Sequence, residues 1–375
     1  MTSQRILVVV GTRPEAIKLA PVVQRLQAES ALFEVVLTAT GQHREMLGQA
    51  LEVFRLRPDI DLDLMRPDQS PSEIAGRAFG ALDPLLVRLA PDWLLIQGDT
   101  TTAMCAAIAA FHRRVRVGHV EAGLRTGDLR APFPEEMNRR VADIVSEAFF
   151  APTGRAAAAL RAEGAPENRI YLTGNTVVDA LQERAAADGP ATPEDLVLIT
   201  VHRRESFGAP LSRVVRAVAR LARTFPATRF LHIVHPNPNV ATTVRSEAAS
   251  PNLQLVDSLD YRSLIHRLRR CRLILTDSGG IQEEAPAFGK PVLVLREKTE
   301  RPEGVEAGLA LLVGTDEDRI VHEATRLLTD PEAYRRMSEG GNPYGDGKAA
   351  GRIVDVLAGR PFSAFRAALL SPTPA

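Results

Sequence analysis

The sequence predicts an α/β protein with two domains, each built on a parallel β-sheet. First, short β-branched runs alternate with amphipathic segments rich in Ala, Leu and Arg, which is typical of strand–helix–strand units. Second, this alternation occurs once in each half of the chain. Third, 375 residues exceed what one hydrophobic core usually organises, so we expect two domains.

Six strands are predicted in each half, with helices filling most of the gaps between them. Those of the first half are residues 5–11, 33–41, 93–99, 115–121, 148–152 and 169–174. Those of the second half are residues 195–202, 229–235, 253–258, 271–278, 291–296 and 309–314. Between the halves, residues 185–193 are rich in Ala, Asp, Gly and Pro, which indicates a linker. We therefore place one domain at 1–185 and the other at 186–351.

The composition excludes several classes of function. Lys plus Arg number 46, as do Asp plus Glu, so no overall charge favours nucleic acid or an anionic membrane. The two cysteines, Cys105 and Cys271, lie far apart in apolar stretches, which indicates neither a disulfide framework nor a zinc site. We find no signal-peptide pattern and no apolar run of membrane-spanning length. The protein is expected to be cytoplasmic.

In parallel sheets, ligands bind beyond the carboxyl ends of the strands, and polar residues follow several of the predicted strands. Ser278, Gly279 and Gly280 stand between a strand and a helix, where free backbone amides favour a phosphate; a tight turn is the alternative. Glu284 follows about one helical turn later and could bind a ribose diol, or simply be an exposed glutamate. Arg301 could be a second cation for a diphosphate or part of a surface salt bridge.

Arg13 and Lys18 bring positive charge close to the first strand. Their segment, GTRPEAIK, is neither a Walker loop nor a GxGxxG fingerprint. A helix-surface pair between Glu15 and Lys18 is the structural alternative to ligand contact.

Asp99, Glu121 and the pair Glu135/Glu136 are predicted near the anion site, although a carboxylate repels an anion. Their function would therefore be proton transfer or stabilisation of a cationic sugar transition state. Clustered carboxylates should also raise one another's pKa. The alternatives are a turn aspartate at 99, a salt bridge from Glu121 to Arg125, and a helix start at 135–136.

His202 ends an apolar strand and precedes three charged residues, so its imidazole could bind a diphosphate or transfer a proton. The other histidines that end strands have no HxH, HExxH or neighbouring cysteine spacing. We therefore predict no metal site.

The motifs together resemble one family, the non-hydrolysing UDP-N-acetylglucosamine 2-epimerases. They are GTRPEAIKLAP at 11–21, TGQHREML at 40–47, GDTTT at 98–102, HVEAGLRTGD at 119–128, PFPEEMNR at 132–139, TGNTVVDAL at 173–181, HRRESFG at 202–208, TDSGGIQEEAP at 276–286, GKPVLVLREKTERPE at 289–303 and NPYGDG at 342–347. They follow in order along nearly the whole chain.

The resemblance implies a glycosyltransferase-B-like fold, in which two Rossmann-like domains face a cleft and a C-terminal helix, about residues 352–375, returns to the first domain. It implies elimination of UDP to a 2-acetamidoglucal and re-addition that yields UDP-N-acetylmannosamine, without cofactor or metal. Asp99, Glu121 and Glu135 match the acid/base carboxylates, and His202 matches the group that assists departure of UDP. The nucleotide-binding positions correspond to Arg13, Lys18, Ser278, Gly279, Gly280, Glu284 and Arg301. The family also suggests a homodimer.

Bacterial members are activated by a second substrate molecule, and six residues lie in motifs that resemble that site: Gln42, Gln69, Glu136, Arg203, Arg204 and His235. Three other functions stay open at this point. A UDP-sugar glycosyltransferase would need an acceptor, and a hydrolysing epimerase would release free N-acetylmannosamine and UDP. A catalytically inactive sugar-nucleotide sensor would bind without turnover.

Overall fold

The computed structural model describes residues 3–41, 44–66, 68–203, 207–234, 238–247 and 250–367. The chain divides into two compact units. The first contains the chain up to Ala180 together with Gly345–Arg366, and the second contains Leu181–Tyr344. Each unit has one sheet in which every pairing of neighbouring strands is parallel. The predicted fold class, α/β with two parallel-sheet domains, is confirmed.

The first unit contains a seven-stranded sheet in the order β3-β2-β1-β4-β5-β6-β7. The strands are β1 (Gln4–Val10), β2 (Phe33–Ala39), β3 (Ile60–Asp61), β4 (Trp93–Gln97), β5 (Arg116–Val120), β6 (Ala148–Ala151) and β7 (Ile170–Leu172). The strand order reverses at β1, which pairs with β2 on one side and β4 on the other. Loops that follow β1 and β4 therefore diverge at this point, where such sheets form ligand sites.

Helices alternate with most of these strands along the chain, and the helix at 176–188 continues from the first unit into the second. They are α1 (Arg13–Ala28), α2 (Arg44–Val53), α3 (Pro71–Leu89), α4 (Thr101–His112), α5 (Glu135–Ile144), α6 (Gly154–Ala162), α7 (Thr176–Asp188) and α15 (Ala349–Leu357). Thr12 and Glu15 form a capping box at the start of α1, and Ser70 and Glu73 form one at the start of α3. Helix α15 packs against α1.

The second unit contains a six-stranded sheet in the order β10-β9-β8-β11-β12-β13. The strands are β8 (Leu196–Val201), β9 (Arg229–Val234), β10 (Leu253–Val256), β11 (Leu273–Thr276), β12 (Val292–Val294) and β13 (Ala310–Leu312). The helices are α8 (Ala209–Thr224), α9 (Pro238–Glu247), α10 (Tyr261–Arg270), α11 (Gly279–Glu284), α12 (Pro302–Glu306), α13 (Glu317–Thr329) and α14 (Pro331–Ser338). The order reverses at β8, so the segments after β8 and β11 diverge there.

The twelve predicted strands are all present, but three details of the prediction are wrong. Strand β3 was not predicted, because two residues are too short to form a hydrophobic pattern. The expected linker at 185–193 is helical up to Asp188, where α7 ends. The C-terminal helix ends at Leu357, well before 375.

Trp93 is the single tryptophan of the chain and begins β4 in the first unit. It is 9% exposed, and the guanidinium carbon of Arg116 lies 4.5 Å from the centre of its ring. Among the described residues, no helix has both the length and the apolar character needed to cross a membrane.

Candidate active site

Glu15 ties the end of β1 to the end of β4. Its carboxylate accepts hydrogen bonds from the backbone N–H of Gly11 (2.8 Å) and Thr12 (2.6 Å) and from the hydroxyl of Thr100 (2.7 Å). Burial raises the pKa of Glu15, although these hydrogen bonds oppose the rise. The surface pair between Glu15 and Lys18 that we considered is replaced by this buried network.

Lys18 instead forms an ion pair with Glu121, and both side chains are less than 10% exposed. The side-chain amide of Asn175 also donates to the Glu121 carboxylate, at 3.5 Å. Glu121 follows β5 directly and has a left-handed backbone, with φ of 69°, which non-glycine residues rarely adopt. Such strain persists where the surrounding structure holds it, and it often marks a functional side chain. The predicted alternative, a bridge from Glu121 to Arg125, is not the arrangement observed.

Asp99 follows β4 and pairs with Arg139 on α5. The neighbouring side chain on α5, Asn138, donates to the backbone carbonyl of Asp99 at 3.0 Å. The Asp99 side chain remains 29% exposed, whereas that of Arg139 is buried. Asp99 and Glu121 are therefore each paired with a cation.

Glu135 and Glu136 begin α5 but have different environments. Glu135 is partly exposed, whereas Glu136 is completely buried. The Glu136 carboxylate accepts from the backbone N–H of Thr126 (3.1 Å) and Gly127 (3.3 Å), and it also pairs with Arg139 and Arg140. Glu136 thereby fixes the loop that leads into α5.

His119, on β5, is fully buried, and each of its ring nitrogens lies within hydrogen-bond distance of an oxygen atom. Nδ1 is 2.6 Å from a carboxylate oxygen of Asp143, and Nε2 is 2.8 Å from the carbonyl oxygen of Gly98. Asp143 also accepts from Arg125 (2.7 Å), which pairs in turn with Glu163. Burial would raise the pKa of Asp143, but His119 and Arg125 outweigh it and hold that pKa below its usual value.

In the second unit, Asp277 holds the end of β8. The backbone N–H groups of His202 (3.1 Å) and Arg203 (2.9 Å) donate to its carboxylate, and Nδ1 of His202 lies 3.2 Å away. Asp277 is fully buried, whereas the His202 side chain is 40% exposed. Burial would raise the pKa of Asp277, but the bonds from His202 and Arg203 lower it overall.

Glu300, which follows β12 in the chain, pairs with three arginines. It pairs with Arg203 (2.9 Å), Arg296 (2.7 Å) and Arg301 (2.6 Å). Burial opposes ionisation of Glu300, yet the three cations lower its pKa to about 2. Arg301 also pairs with Glu283 on α11 at 2.8 Å. The arginines are thus held close together by the two carboxylates.

Ser278 directly precedes α11, Gly279 and Gly280 begin this helix, and Glu284 ends it. A Cβ atom on Gly279 would lie 2.9 Å from the guanidinium carbon of Arg301, so a larger residue at 279 would displace this guanidinium. The hydroxyl of Tyr344 accepts from the N–H of Gly304 (3.0 Å) and donates to the carbonyl of Arg301 (3.2 Å). Tyr344 therefore fixes the backbone of Arg301.

Among the predicted site residues, Asp99, Glu121, His202 and Ser278 follow the carboxyl ends of β4, β5, β8 and β11. Arg13 begins α1 and is partly exposed. Gln69 lies before α3, where its side chain accepts from the backbone N–H of Arg66. Gln42, Arg204 and His235 lie outside the described residues.

Sequence reasoning missed the residues that hold the predicted ones in place: Arg139, Asn138, Asp143, Asp277, Glu300 and Tyr344. Two of them could have been suspected. Arg139 is one helical turn beyond Glu135 and Glu136, and Asp277 directly precedes the Ser-Gly-Gly element. Groups of acidic, histidine or cysteine side chains suited to a metal ion are not found in the part of the chain that the structure describes.

The arrangement offers carboxylates paired with cations in the first unit and a cluster of arginines beside a helix start in the second. The family described as UDP-N-acetylglucosamine 2-epimerase matches residues 24–358. This chain belongs to that family. UDP-N-acetylglucosamine 2-epimerases are isomerases, and the chain is therefore an enzyme of this class.

Relatives in the UDP-N-acetylglucosamine 2-epimerase family resemble the chain over almost its full length. The protein of that name from Yersinia pestis is 48% identical over 372 residues, which cover 94% of this chain and 98% of the relative. The one from Escherichia coli K12 is 46% identical over 369 residues, with the same coverage. A crystal structure of the Neisseria meningitidis enzyme bound to UDP-GlcNAc superposes with a TM-score of 0.87 at 40% identity, covering 95% of this chain and all of the other.

Proposed function

We propose that this enzyme interconverts UDP-N-acetylglucosamine and UDP-N-acetylmannosamine without hydrolysing either. UDP leaves to give a 2-acetamidoglucal, and its re-addition restores the nucleotide sugar with C2 inverted. Family membership supports the C2 epimerisation, and a family member has been crystallised with UDP-GlcNAc. The observation that carries the proposal is that carboxylates paired with cations follow strands of the first unit, whereas three arginines surround Glu300 in the second.

The first unit supplies the proposed acids and bases, Asp99, Glu121 and Glu135. The C2 proton is not acidic, so cleavage of the C1–O bond must run ahead of its removal and create positive charge at C1. A carboxylate can stabilise that charge and another can remove the proton. Lys18 beside Glu121 and Arg139 beside Asp99 hold these side chains in fixed positions.

The second unit supplies the proposed groups for the departing diphosphate. Arg301, placed against Gly279, offers donors beside the N–H groups at the start of α11. His202, held by Asp277 and partly exposed, can assist departure of UDP. Glu284 is the candidate for the ribose diol. Arg13, Lys18, Ser278 and Gly280 complete the proposed nucleotide-binding set.

The test is proton NMR of the purified protein with UDP-GlcNAc in D2O, without acceptor, cofactor or added metal. We expect UDP-N-acetylmannosamine that carries deuterium at C2. Release of free N-acetylmannosamine and UDP would instead show a hydrolysing epimerase. Unchanged substrate that becomes consumed on addition of an acceptor would show a glycosyltransferase.

Substitution of Asp99 by Asn separates an enzyme from a sensor. For the proposed reaction, Asp99→Asn should greatly reduce both product formation and deuterium uptake. Binding of UDP-GlcNAc to both forms without turnover by either would contradict an enzymatic function.

We also propose activation by a second substrate molecule, through residues that include Arg203 and Glu136 as well as Gln42, Gln69, Arg204 and His235. Arg203 belongs to the cluster around Glu300, next to Arg301, so a ligand at Arg203 would act on the proposed diphosphate site. Glu136 would act through the loop at 126–127 that it holds. A sigmoidal dependence of the initial rate on UDP-GlcNAc is expected, and a hyperbolic one would contradict this proposal.

A homodimer is proposed from large apolar side chains exposed on α3, α4 and α5, which pack against one another. They include Val87 (58% exposed), Phe111 (57%) and Ile144 (81%), and Met137 lies two helical turns before Ile144 on α5. We expect light scattering to show a dimer that Ile144→Glu weakens and Asp318→Lys, on the exposed part of α13, does not.

Both cysteines are buried and free, which supports a location in the reducing cytoplasm.

A further inference from the structure

His119 is fully buried, and both of its ring nitrogens face hydrogen-bond acceptors. Nδ1 faces the Asp143 carboxylate at 2.6 Å, and Nε2 faces the carbonyl oxygen of Gly98 at 2.8 Å. A neutral imidazole has one N–H donor and one acceptor, so it can satisfy only one of these two partners. Turning the ring over would place C–H groups against both acceptors. Each neutral form therefore leaves a buried polar group without a hydrogen bond.

A protonated Asp143 could rescue a neutral ring by donating to Nδ1, but its other contacts argue against this. Arg125 donates to Asp143 at 2.7 Å, and the backbone N–H of Gly123 donates at 3.3 Å. These donors favour the ionised carboxylate of Asp143. Glu163 pairs with Arg125, so the cations His119 and Arg125 would be balanced by the anions Asp143 and Glu163. With Asp143 ionised, His119 satisfies both of its partners only when both ring nitrogens donate.

The Gly98 carbonyl links the His119 ring to the proposed proton transfer at Asp99, because Gly98 immediately precedes Asp99. The N–H of Gly98 donates to the carbonyl of Val120 at 3.1 Å, and its carbonyl is held by His119. The carbonyl of Asp99 is held by Asn138 at 3.0 Å. Both peptide groups that flank Asp99 are thus fixed.

We propose that His119 is a buried imidazolium ion that positions Asp99 for proton transfer. Asp143 is its counter-ion and also holds the turn after Glu121, through the N–H of Gly123. The positioning role rests on the proposed function of Asp99, whereas the charge on His119 does not. His119 touches no substrate and acts through the Gly98 peptide.

Nitrogen-15 NMR of the protein labelled at histidine tests the charge directly. Both nitrogens of His119 should show imidazolium chemical shifts at pH 7, in a signal that the His119→Asn variant lacks. His232 is the matched control, because it is equally buried but burial lowers its pKa to about 4, so it should be neutral. One pyrrole-like and one pyridine-like nitrogen at His119 would overturn the proposal.

Kinetics test the positioning role. We expect His119→Asn to lower kcat about 10- to 100-fold and to change KM little, since a small displacement of a reacting group costs this much. The exposed residue His112, on α4, is the control, and His112→Asn should leave both constants unchanged. An imidazolium signal in the wild type together with an unaltered kcat in His119→Asn would overturn the positioning role. If the wild-type protein does not epimerise UDP-GlcNAc at all, the proposed function fails, whatever the NMR result.

Discussion

The carboxylate of Asp277 binds both the backbone and the ring of His202. The N–H of His202 donates to Asp277 at 3.1 Å, and Nδ1 of the ring lies 3.2 Å from the same carboxylate. The ring is thereby oriented with Nε2 directed away from Asp277. A histidine held in this way can present one defined nitrogen to a leaving group.

Replacing Asp277 by Asn should lower kcat/KM about 10- to 100-fold, because the ring of His202 is no longer held in one orientation. Steady-state kinetics with UDP-GlcNAc would measure this. If Asp277 acts through His202, the double variant Asp277→Asn/His202→Asn should be no slower than His202→Asn alone. Multiplicative losses would show that the two residues act separately.

The buried pair of Lys18 and Glu121 should make stability and activity respond differently to substitution. Lys18→Met leaves the Glu121 charge buried without its cation, which should lower the free energy of unfolding by about 3–5 kcal/mol. Adding Glu121→Gln should restore much of that stability in urea denaturation but none of the activity. Arg335→Met, in an exposed pair with Glu332, is the control and should change stability little. Equal destabilisation by Lys18→Met with and without Glu121→Gln would contradict the pairing.

Glu300 should give the protein a specific sensitivity to acid. Its pKa is lowered from 4.5 to about 2, so the unfolded chain binds the proton more tightly than the folded one. The stability that it provides is complete above about pH 4.5 and is lost as the pH falls toward 2. Over this window, the free energy of unfolding of the wild type should fall by about 3 kcal/mol more than that of Glu300→Gln.

Urea denaturation at several pH values would measure the contribution of Glu300. Glu339→Gln removes a carboxylate from an exposed pair with Arg335 and should keep the pH dependence of the wild type. If Glu300→Gln showed that same dependence, the three arginines would not be held by an ionised Glu300.

Tyr344→Phe should weaken UDP binding about tenfold. The substitution leaves the N–H of Gly304 without its acceptor and releases the backbone of Arg301. Isothermal titration calorimetry with UDP would measure the change. Tyr334→Phe is the control, since its ring packs near Arg272 on another part of the unit, and affinity should not change. Unchanged affinity in Tyr344→Phe would show that Arg301 does not need this support.

The sequence was sufficient to locate the ends of strands but not the partners of the side chains found there. Asp99, Glu121 and His202 follow β4, β5 and β8 as predicted, because hydrophobic runs that end in polar residues are a local pattern. The partner of Glu121 is Lys18, 103 residues earlier in the chain, and Asp277 is 75 residues from His202. Such contacts depend on strand order, which periodicity does not reveal.

The predicted linker at 185–193 begins too early in the chain. The alanines at 185–187 favour a helix, and α7 continues through them to Asp188, where Gly189 and Pro190 end it. Gly189 and Pro190 therefore mark the end of a helix and not a linker that begins at residue 185. Helix propensity would have placed the boundary correctly.

The position of Trp93 provides a way to observe one half of this protein by itself. The indole lies in β4, and the second unit contains no tryptophan. Tryptophan fluorescence therefore reports on the first unit alone, whereas circular dichroism reports the helices of both. Unfolding curves that differ between the two signals would show that the halves lose their structure in separate steps.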